Sequence, residues 1–589
     1  MAAVSLSPPL LLLSVLLLTT AGTSQCHGHN KHHHHHTDGT RKPNKDAAAA
    51  DTVHHAICHK TPHPVSCLGA VASHLDAVAS AKVAEASAVS VQLLPPNVLS
   101  VVLASLRGAA SALSSLSPAI STLSAPAASP TGASLRRGAA QDCQELHAAS
   151  LSSLSRSASL LAAPSEGLPA VRAHLAAALT NKATCLDGLA GASGPGMGGL
   201  LASLDDAYEH VSNSLALVAP GGGVSAGGFA NAVAKAIHNR RLLQDDDDDD
   251  GDSGDDDNNN NGDGHSGNAD QPAATVHVIT VAKDGTRNFR TVGEAVAAAP
   301  NYSRTRTVIR VKAGTYEENV EVPPYKTNIA LVGEGRDRTV ITGSRSAAGG
   351  WTTFRSATFG VSGEGFLARD VTFRNTAGAA GVQAVALRVN ADLAAVYRCG
   401  VEAHQDALYA HSFRQFYREC AVAGTVDIVF GDASAVLQGC ELRARAPLPG
   451  QSVVLTAQGR GDPNEDTGIA VHNCTVSAAR EEPMPDGTRT FLGRPWGAYA
   501  RAVVMDSYLG QIVDREGWME WPGAEPGRGD TVYFGEYGNV GPGAETEGRV
   551  DWAGVREMDY DEAAQFAVQN FIYGDDWLGA TSFPYDDDV

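Results

Sequence analysis

Basic residues are in the minority in this 589-residue chain, and their shortage excludes some functions. Lysine and arginine total 44 against 65 aspartates and glutamates, which gives a formal net charge of -21 at pH 7. Binding to nucleic acid or to an anionic membrane requires a basic surface, so neither is expected. Part of the acid lies in a tract that opens with six aspartates at 245–250 and continues to about Asp270. Such a tract repels itself and cannot be buried, so it predicts a solvated linker rather than a metal site.

Long hydrophobic runs are also scarce. The run from Pro9 to Leu18 is too short to span a bilayer, and small and polar residues follow it through Ser24. This pattern is typical of a signal peptide over residues 1–24, although no basic residue precedes the apolar core. No later apolar run reaches 18 residues, so a membrane-spanning helix is not expected. The sequence therefore predicts a secreted protein in which the histidine-rich segment 25–46 is a disordered tail.

Aromatic residues make up 6% of the chain and are almost absent between about Ala47 and Ile237. Alanine, leucine and serine dominate there, and segments such as "VLASLRGAASALSSL" carry apolar residues at three- and four-residue spacing. This spacing predicts amphipathic helices that pack as a bundle, with turns at "LLPPN" and "SAPAASPTG". The segment contains no cluster of catalytic residue types.

The nine cysteines predict disulfides in an exported chain. Cys58 and Cys67 are close enough to staple a helical hairpin, and Cys143 with Cys185 could tie two long helices. An odd total leaves one cysteine over, for which Cys26 is the candidate. The sequence leaves open the pairing of Cys399, Cys420, Cys440 and Cys474.

Short runs rich in valine, phenylalanine, tyrosine and threonine alternate with glycine, asparagine and aspartate after about Thr275. These runs predict strands and turns with little helix. Cys399, Cys420 and Cys440 follow one another at steps of 21 and 20 residues, each after an apolar run. A repeat of this length favours a parallel β-helix, in which each coil stacks on the previous one. A β-sandwich or propeller is the competing interpretation.

Polar residues recur at the same period inside this apolar text. Gln383, Gln405 and Asp427 lie 22 residues apart, so we expect them to form a column on one face, with neighbours about 4.8 Å apart. Asp406 can join the same site only if the chain bends there, because adjacent residues of a regular strand face opposite sides. Polar ladders do occur in β-helices, but two close carboxylates disfavour each other's ionisation and therefore suggest a functional site. Arg494, in "FLGRPWG", is a candidate to hold one carboxylate ionised.

Five motifs in the second half resemble those of the plant pectin methylesterases, in the same order: "GTYEE" at 314–318, "QAVAL" at 383–387, "HQDALY" at 404–409, "GTVDIVFG" at 424–431 and "LGRPW" at 492–496. The resemblance implies a right-handed parallel β-helix. In the first half, "CHKTPHPVSC", "DCQELHAASLSSL" and "ALTNKATCLDGL" resemble the invertase and pectin methylesterase inhibitor family, which is a disulfide-stapled four-helix bundle. A pro-region without inhibitory action is the alternative for that half.

The resemblance implies a role for each matching residue. Asp427 would attack the methyl-ester carbonyl of a galacturonic acid unit, and Asp406 would act as proton donor and then as base. Gln405 would stabilise the transition state, with Gln383 binding nearby. The residues implied in substrate binding are Thr353, Gln383, Arg494 and Trp496. No cofactor and no metal are expected.

Several positions depart from the pattern of the family. Ala403, His404 and Ala407 stand where glycine, tyrosine and threonine are usual, and Ile428 replaces an aromatic residue that could face the substrate. Because histidine titrates near neutrality, His404 suggests an altered pH response. Gly381 and Val382 stand where Lys-His is common, which puts sugar contacts in doubt.

The dibasic motif Arg240, Arg241, Leu242 and Leu243 resembles the processing site between pro-region and enzyme in plant pectinesterases. We expect a subtilisin-like protease to cut there. The predicted organisation is residues 1–24 signal peptide, 25–46 tail, 47–237 inhibitor-like bundle, 238–274 processing site and acidic linker, and 275–589 catalytic β-helix.

The chain is therefore expected to demethylesterify pectin in the cell wall and to release methanol, with a pro-region that restrains or chaperones the enzyme through an intramolecular contact. Asn301 and Asn473 are candidate glycosylation sites. Two alternatives stay open: a polygalacturonase or pectate lyase on the same fold, and a catalytically silent pectin-binding protein with an inhibitor domain.

Overall fold

The computed structural model describes residues 54–80, 94–123, 130–162, 167–189, 197–219, 277–480 and 483–589. The predicted signal peptide, the histidine-rich tail, the Arg240–Leu243 motif and the acidic linker lie outside these residues.

After a short helical segment over 54–58, five long α-helices of the described residues form the bundle, here called the helical region: α1 Pro64–Ser80, α2 Pro96–Ser121, α3 Pro130–Ala162, α4 Gly167–Leu189 and α5 Met197–Val218. α2 to α5 pack on one another, and α1 packs against α2 and α5. Leucine, valine and alanine side chains at helical spacing form one continuous core. The predicted helical bundle is confirmed.

Two disulfides fasten the bundle. Cys58 is joined to Cys67 at the start of α1, and Cys143 in α3 is joined to Cys185 in α4. Both are the pairings that the sequence suggested, and the second ties together two helices that pack along much of their length.

α2 departs from the expectation that no later segment could span a membrane. By length and composition it qualifies, with a mean hydropathy of 1.5, although half of that window is buried inside the protein. Arg107 and several serines interrupt the apolar residues, so the segment is not a continuous run. Val101, Val102, Leu106 and Leu113 are buried in the bundle. The core therefore accounts for the apolar character of α2.

The second half is built from short strands that stack coil upon coil. In chain order the strands of the described residues are β1 His277–Val281, β2 Thr307–Val311, β3 Gly314–Glu317, β4 Val320–Val322, β5 Ile329–Val332, β6 Thr339–Gly343, β7 Phe359–Val361, β8 Leu367–Arg369, β9 Thr372–Asn375, β10 Leu387–Val389, β11 Ala394–Tyr397, β12 Gly400–Glu402, β13 Leu408–Ala410, β14 Arg414–Arg418, β15 Ala421–Gly424, β16 Val429–Gly431, β17 Ser434–Gln438, β18 Glu441–Ala444, β19 Val453–Gln458, β20 Gly468–His472, β21 Thr475–Ala478, β22 Thr490–Pro495, β23 Arg501–Met505, β24 Tyr508–Leu509, β25 Tyr533–Tyr537 and β26 Val555–Glu557.

These strands form three sheets. Sheet A has the order β1-β2-β5-β8-β11-β14-β17-β20-β23-β25-β26, sheet B runs β24-β21-β18-β15-β12-β9-β6-β3, and sheet C runs β22-β19-β16-β13-β10-β7-β4. Neighbours pair in parallel, as in the register of β10 on β13 and of β12 on β15. From β2 to β22 each coil contributes one strand to each sheet, so the parallel β-helix is confirmed.

The cysteine repeat marks equivalent positions of stacked coils, because each cysteine directly precedes a strand of sheet B. Cys399, Cys420, Cys440 and Cys474 are buried in the core as free thiols. The expectation that only Cys26 is left over is therefore wrong. The thiols form hydrogen bonds instead of disulfides: Cys420 Sγ lies 3.4 Å from the carbonyl oxygen of Val396, and the backbone N–H of Cys440 donates to Cys474 Sγ.

Shorter helices cover parts of the β-helix. They are α6 Val292–Ala298, α7 Arg528–Thr531, α8 Tyr560–Ala564 and α9 Val568–Phe571, with 3₁₀ turns at Phe354–Ser356, Ala379–Gly381, Gly574–Asp576 and Leu578–Thr581. Phe566, Phe571 and Trp577 of the C-terminal segment pack on the outer face of sheet A. A separate apolar cluster lies on the outer face of sheet C and joins Tyr409 and Phe430 to Leu146 of α3. The helical region therefore meets the β-helix at sheet C.

Candidate active site

A cavity of about 590 Å³ lies on the outer face of sheet C. Its lining includes every residue that the sequence analysis placed in catalysis or substrate binding: Thr353, Gln383, Gln405, Asp406, Asp427, Arg494 and Trp496. The structure thus brings together residues that are up to 143 positions apart in the chain.

The predicted polar column arises from the stacking of the coils. Gln383 and Gln405 form a parallel bridge, and the backbone N–H of Asp406 donates to the carbonyl oxygen of Val426 in the next coil at 3.0 Å. These hydrogen bonds fix the spacing between the coil of Gln405 and Asp406 and the coil of Asp427.

The bend that the sequence analysis required is present at both aspartates. Asp406 has φ +66° and Asp427 has φ +56°, which is the left-handed region of backbone space. Aspartate tolerates this conformation better than most residues, yet it still costs of order 1–3 kcal/mol at an ordered site. The bend at Asp406 allows its carboxyl to enter the same cavity as the adjacent Gln405.

Arg494 in β22 holds Asp427 through a two-point ion pair. Its Nε donates to Asp427 Oδ1 at 2.8 Å, and its Nη2 donates to Oδ2 at 2.6 Å. The two side chains are only 11% and 7% exposed. The guanidinium also stacks 4.4 Å from the ring centroid of Trp521. This parallel geometry fixes the orientation of the carboxylate as well as its charge.

The two carboxyls have unequal electrostatic environments. Burial raises the pKa of Asp427, but the hydrogen bonds and positive charge of Arg494 oppose that rise. Burial raises the pKa of Asp406 well above its usual range, and the negative charge of Asp427 raises it further. Asp406 therefore keeps its proton at a pH where Asp427 is ionised, which gives the cavity one acid and one anion.

Aromatic side chains form one wall of the cavity. Tyr409 and Phe430 are stacked with centroids 4.1 Å apart, and Trp496 lies 6.1 Å from Phe430. Apolar rings beside a few polar groups suit the faces of sugar rings.

Sequence reasoning missed Tyr409 and Phe430, along with Trp351, Phe354 and Trp521, which also line the cavity. A signal for the first two was present. Each lies three residues after a catalytic-candidate aspartate, and they pair across β13 and β16.

Residues of the helical region complete the cavity: Asp142, Thr184, Asp187 and Gly188. The Asp142 carboxylate accepts a hydrogen bond from Thr352 Oγ1 at 2.6 Å and lies 2.6 Å from Arg355 Nε. Thr184 Oγ1 lies 3.0 Å from His411 Nε2 and 3.5 Å from the Tyr409 hydroxyl. α3 and α4 thus contact the rim and the aromatic wall.

The expectation that the side chain at position 428 could face the substrate is wrong, and His404 also lies away from the cavity. Ile428 is fully buried in the core of the β-helix and does not face the cavity. His404 lines a different groove on sheet B, so it does not belong to the carboxyl pair. Ala403 and Ala407 are buried in the core, and Val382 is 40% exposed outside the cavity lining.

Both candidate glycosylation sites, Asn301 and Asn473, are exposed. Within the part of the chain that the structure describes, no group of three or more histidine, cysteine, aspartate or glutamate side chains is placed to hold a metal ion.

Comparison with known proteins matches both halves of the chain. The family model described as pectinesterase matches residues 278–575, and the plant invertase/pectin methylesterase inhibitor model matches residues 52–217. A probable pectinesterase/pectinesterase inhibitor of Arabidopsis thaliana is 44% identical over 543 residues, which are 92% of this chain and 94% of that protein. A pectinesterase of Daucus carota is 51% identical over 309 residues, covering 52% of this chain and 96% of the relative. The solved structure of a pectin methylesterase from carrot superposes with a TM-score of 0.52 at 49% identity, over 54% of this chain and all of that one.

Proposed function

Because this chain belongs to the pectinesterase family, we propose that Asp427 is the nucleophile with which it hydrolyses the methyl esters of pectin. The chain is a carboxylic ester hydrolase whose catalytic domain follows an inhibitor-related helical region. The observation that carries the assignment of Asp427 is its two-point ion pair with Arg494, in one cavity with a second buried carboxyl.

In the first half of the reaction, the Asp427 carboxylate attacks the ester carbonyl carbon of a methylated galacturonic acid unit. The carbonyl oxygen becomes an oxyanion, which the side-chain amides of Gln405 and Gln383 stabilise by donating hydrogen bonds. When the tetrahedral intermediate collapses, the bond to the methoxy oxygen breaks and Asp406 gives that oxygen its proton. Methanol leaves, and the sugar carbonyl stays bound to Asp427 as an anhydride.

In the second half, a water molecule replaces the methanol. Asp406, now ionised, removes a proton from the water as the water oxygen attacks the anhydride carbonyl. The bond to Asp427 breaks, which frees the Asp427 carboxylate and a galacturonic acid unit, whose own carboxyl then loses its proton to the solvent. Asp406 ends the cycle protonated, so every proton is accounted for without a metal ion.

The other predicted residues position the reactants. Arg494 keeps Asp427 ionised and oriented, since a guanidinium matches a carboxylate at two points. Trp496 and Thr353 contact the sugar ring, with Trp496 supplying a face for stacking.

The release of methanol without shortening of the polymer tests this assignment. We expect methylesterified pectin to lose methanol at constant chain length in the presence of the protein. Cleavage of the glycosidic backbone would instead support a polygalacturonase or lyase, and binding without either product would support a silent pectin-binding protein.

Replacing Arg494 with lysine is expected to reduce kcat by about 10²-fold, because a point charge cannot hold both oxygens of Asp427. The weaker interaction also leaves the pKa of Asp427 higher. Protonated Asp427 cannot attack, so the acidic limb of the kcat/KM profile should move to higher pH. The matched control is Arg489→Lys, which disrupts a similar two-point pair with Asp514 on the surface. An acidic limb at the same pH in both variants would contradict the role given to Arg494.

We propose that the helical region restrains the enzyme until it is removed. Support comes from the residues of α3 and α4 that line the catalytic cavity, in particular Asp142 with its partners Thr352 and Arg355. A polymer could not lie along this rim while α3 occupies it.

We also propose that the protein is secreted to the cell wall and cut by a subtilisin-like protease at Arg240–Leu243. Arg240→Ala with Arg241→Ala should leave the helical region attached, as measured by the size of the secreted product on a denaturing gel. Normal cutting of this double variant would exclude the motif as the processing site.

A further inference from the structure

We infer that a second groove, on the outer face of sheet B, binds stretches of pectin whose carboxylates are already free of methyl groups. This inference depends on the demethylesterifying activity for the identity of the polymer, but not on the roles proposed for individual catalytic residues. We call this site the sheet B groove.

The sheet B groove has a volume of about 470 Å³, within the range of about 300–1,000 Å³ that is typical of small-molecule sites. Ala421 and Ala423 of β15 contribute to its lining, and their small side chains leave room above the strand. Ala423 lies between longer side chains, because it pairs with Glu402 on one side and with Arg443 on the other, whereas Ala421 pairs with Gly400 and Glu441. The small residues of these strands therefore leave the space of the groove between the longer side chains.

Arginine dominates the charge of the sheet B groove. Arg374, Arg443 and Arg445 line it, against a single lining carboxylate, Glu402. Arg374 Nε donates to Glu402 at 2.6 Å, and Arg443 Nε donates to the neighbouring Glu441 at 2.9 Å. A guanidinium has five N–H donors, so each can hold its partner and still meet a ligand carboxylate. The arginine side chains of these two pairs are 42% and 33% exposed, which leaves them accessible.

An oligomer of galacturonate fits this arrangement better than a neutral sugar does. It carries one carboxylate per ring, and arginine recognises carboxylates at two points. Because the enzyme produces this polyanion, its own product is an anionic polymer that the groove would meet. In a net acidic protein, three arginines against Glu402 and the neighbouring Glu441 leave a local excess of positive charge beside the groove.

The sheet B groove adjoins the catalytic cavity without being part of it. His404 lines the groove and the next residue, Gln405, lines the cavity, so the two sites lie on opposite sides of one turn. Arg445 is attached to the same turn, because its Nη1 donates to the carbonyl oxygen of Ala403 at 2.9 Å. All the lining residues of the groove belong to the β-helix, whereas α3 and α4 partly line the cavity. The full chain should therefore bind the oligomer while its catalytic cavity is covered.

Calorimetric titration of the full chain with a hexamer of galacturonic acid tests the inference. We expect Arg443→Gln with Arg445→Gln to weaken binding about tenfold or more, since the variant loses charge-assisted hydrogen bonds to the carboxylates of the hexamer. The charge-matched control, Arg398→Gln with Arg489→Gln, removes two exposed arginines that do not line the groove and should bind normally. Ala423→Tyr should also weaken binding, because it fills the groove and removes no charge.

Other outcomes would overturn the inference. If the groove variants bind the hexamer as tightly as the charge-matched control does, the groove is excluded as the binding site. A loss of binding in Trp496→Ala alone would also exclude it, because the hexamer would then bind in the catalytic cavity. Equal affinity for a carboxyl-reduced, neutral hexamer would remove the role of the arginines. Equal affinity for a sulfated oligosaccharide of the same length would reduce the site to a non-specific anion patch. Thermal unfolding of each variant checks that the fold is intact.

Discussion

Replacing Asp427 with asparagine is expected to reduce kcat for methanol release by about 10⁴-fold or more, which is the scale of loss when a covalent nucleophile is removed. An amide is a poor nucleophile and cannot form the anhydride intermediate. Asparagine is a better test than alanine for two structural reasons. It tolerates the left-handed backbone of this position, where φ is +56°, and its side-chain oxygen can still accept a hydrogen bond from Arg494.

Alanine at the same position should unfold more easily. It would leave the 11% exposed guanidinium of Arg494 without its carboxylate, and breaking a buried ion pair costs about 3–5 kcal/mol. A lower melting temperature for Asp427→Ala than for Asp427→Asn, measured by calorimetry, would therefore accompany a similar loss of activity in both variants.

The Asp406→Asn variant distinguishes the proposed role of proton donor from the proposed role of nucleophile. Without a proton donor, methoxide is a poor leaving group, so methyl esters should turn over slowly. An aryl ester of galacturonic acid has a leaving group that needs no proton, and this variant should still release one equivalent of it in a burst. Asp427→Asn should show no burst. A burst from the Asp427 variant, or wild-type methanol release, would refute the assignment.

The polar column was predictable because a β-helix converts spacing in the sequence into position. Leu408 pairs with Val429, 21 residues later, and the polar column follows nearly the same period. The same rule fails farther along. Thr456 pairs with Gly493, 37 residues later, because longer connections extend this coil. The position of Arg494 beside Asp427 therefore followed from its motif and not from its spacing.

The positions of Ile428 and His404 were not predictable, for a common reason. Both residues adjoin a catalytic-candidate segment in which strand alternation is broken by left-handed backbone at Asp406 and Asp427. Ile428 then enters the core and His404 faces sheet B. Alternation predicts side-chain direction only in regular strands. The contacts of Asp142 and Thr184 were unpredictable for another reason. They form between the folded surface of the helical region and that of the β-helix, and sequence spacing does not determine how two such surfaces dock.

Separating the helical region from the β-helix is expected to raise methanol release about tenfold or more. While α3 and α4 line the cavity, only the fraction of molecules in which they have moved away can turn over pectin. A specific cleavage site inserted into the acidic linker would allow the same preparation to be assayed before and after cutting. The carrot enzyme, whose entire chain corresponds to 54% of this one, indicates that the remaining part is a complete domain.

The restraint by the helical region should also depend on pH, and the pKa of Asp142 gives the direction of that dependence. Burial against the β-helix raises the pKa of Asp142 to about 6 from the usual 3.8, although Arg355 opposes the rise. Groups with raised pKa values stabilise the docked state at low pH, and this contribution is lost as the pH rises through about 6. The ratio of cut to uncut activity should therefore be larger at pH 5 than at pH 7.5.

Asp142→Asn isolates this contribution, because the amide keeps the shape of the carboxyl without titrating. In this variant the ratio of cut to uncut activity should change less between pH 5 and pH 7.5 than in the unchanged protein. The matched control is Asp205→Asn on α5, whose side chain is 58% exposed and pairs with Lys182 within the bundle.

Using the ratio of cut to uncut activity removes the pH dependence of Asp406 and Asp427, since these residues are the same before and after cutting. If cutting leaves methanol release unchanged at both pH values, α3 does not restrict access to the cavity; if only the pH dependence is missing, docking occurs without proton uptake at Asp142.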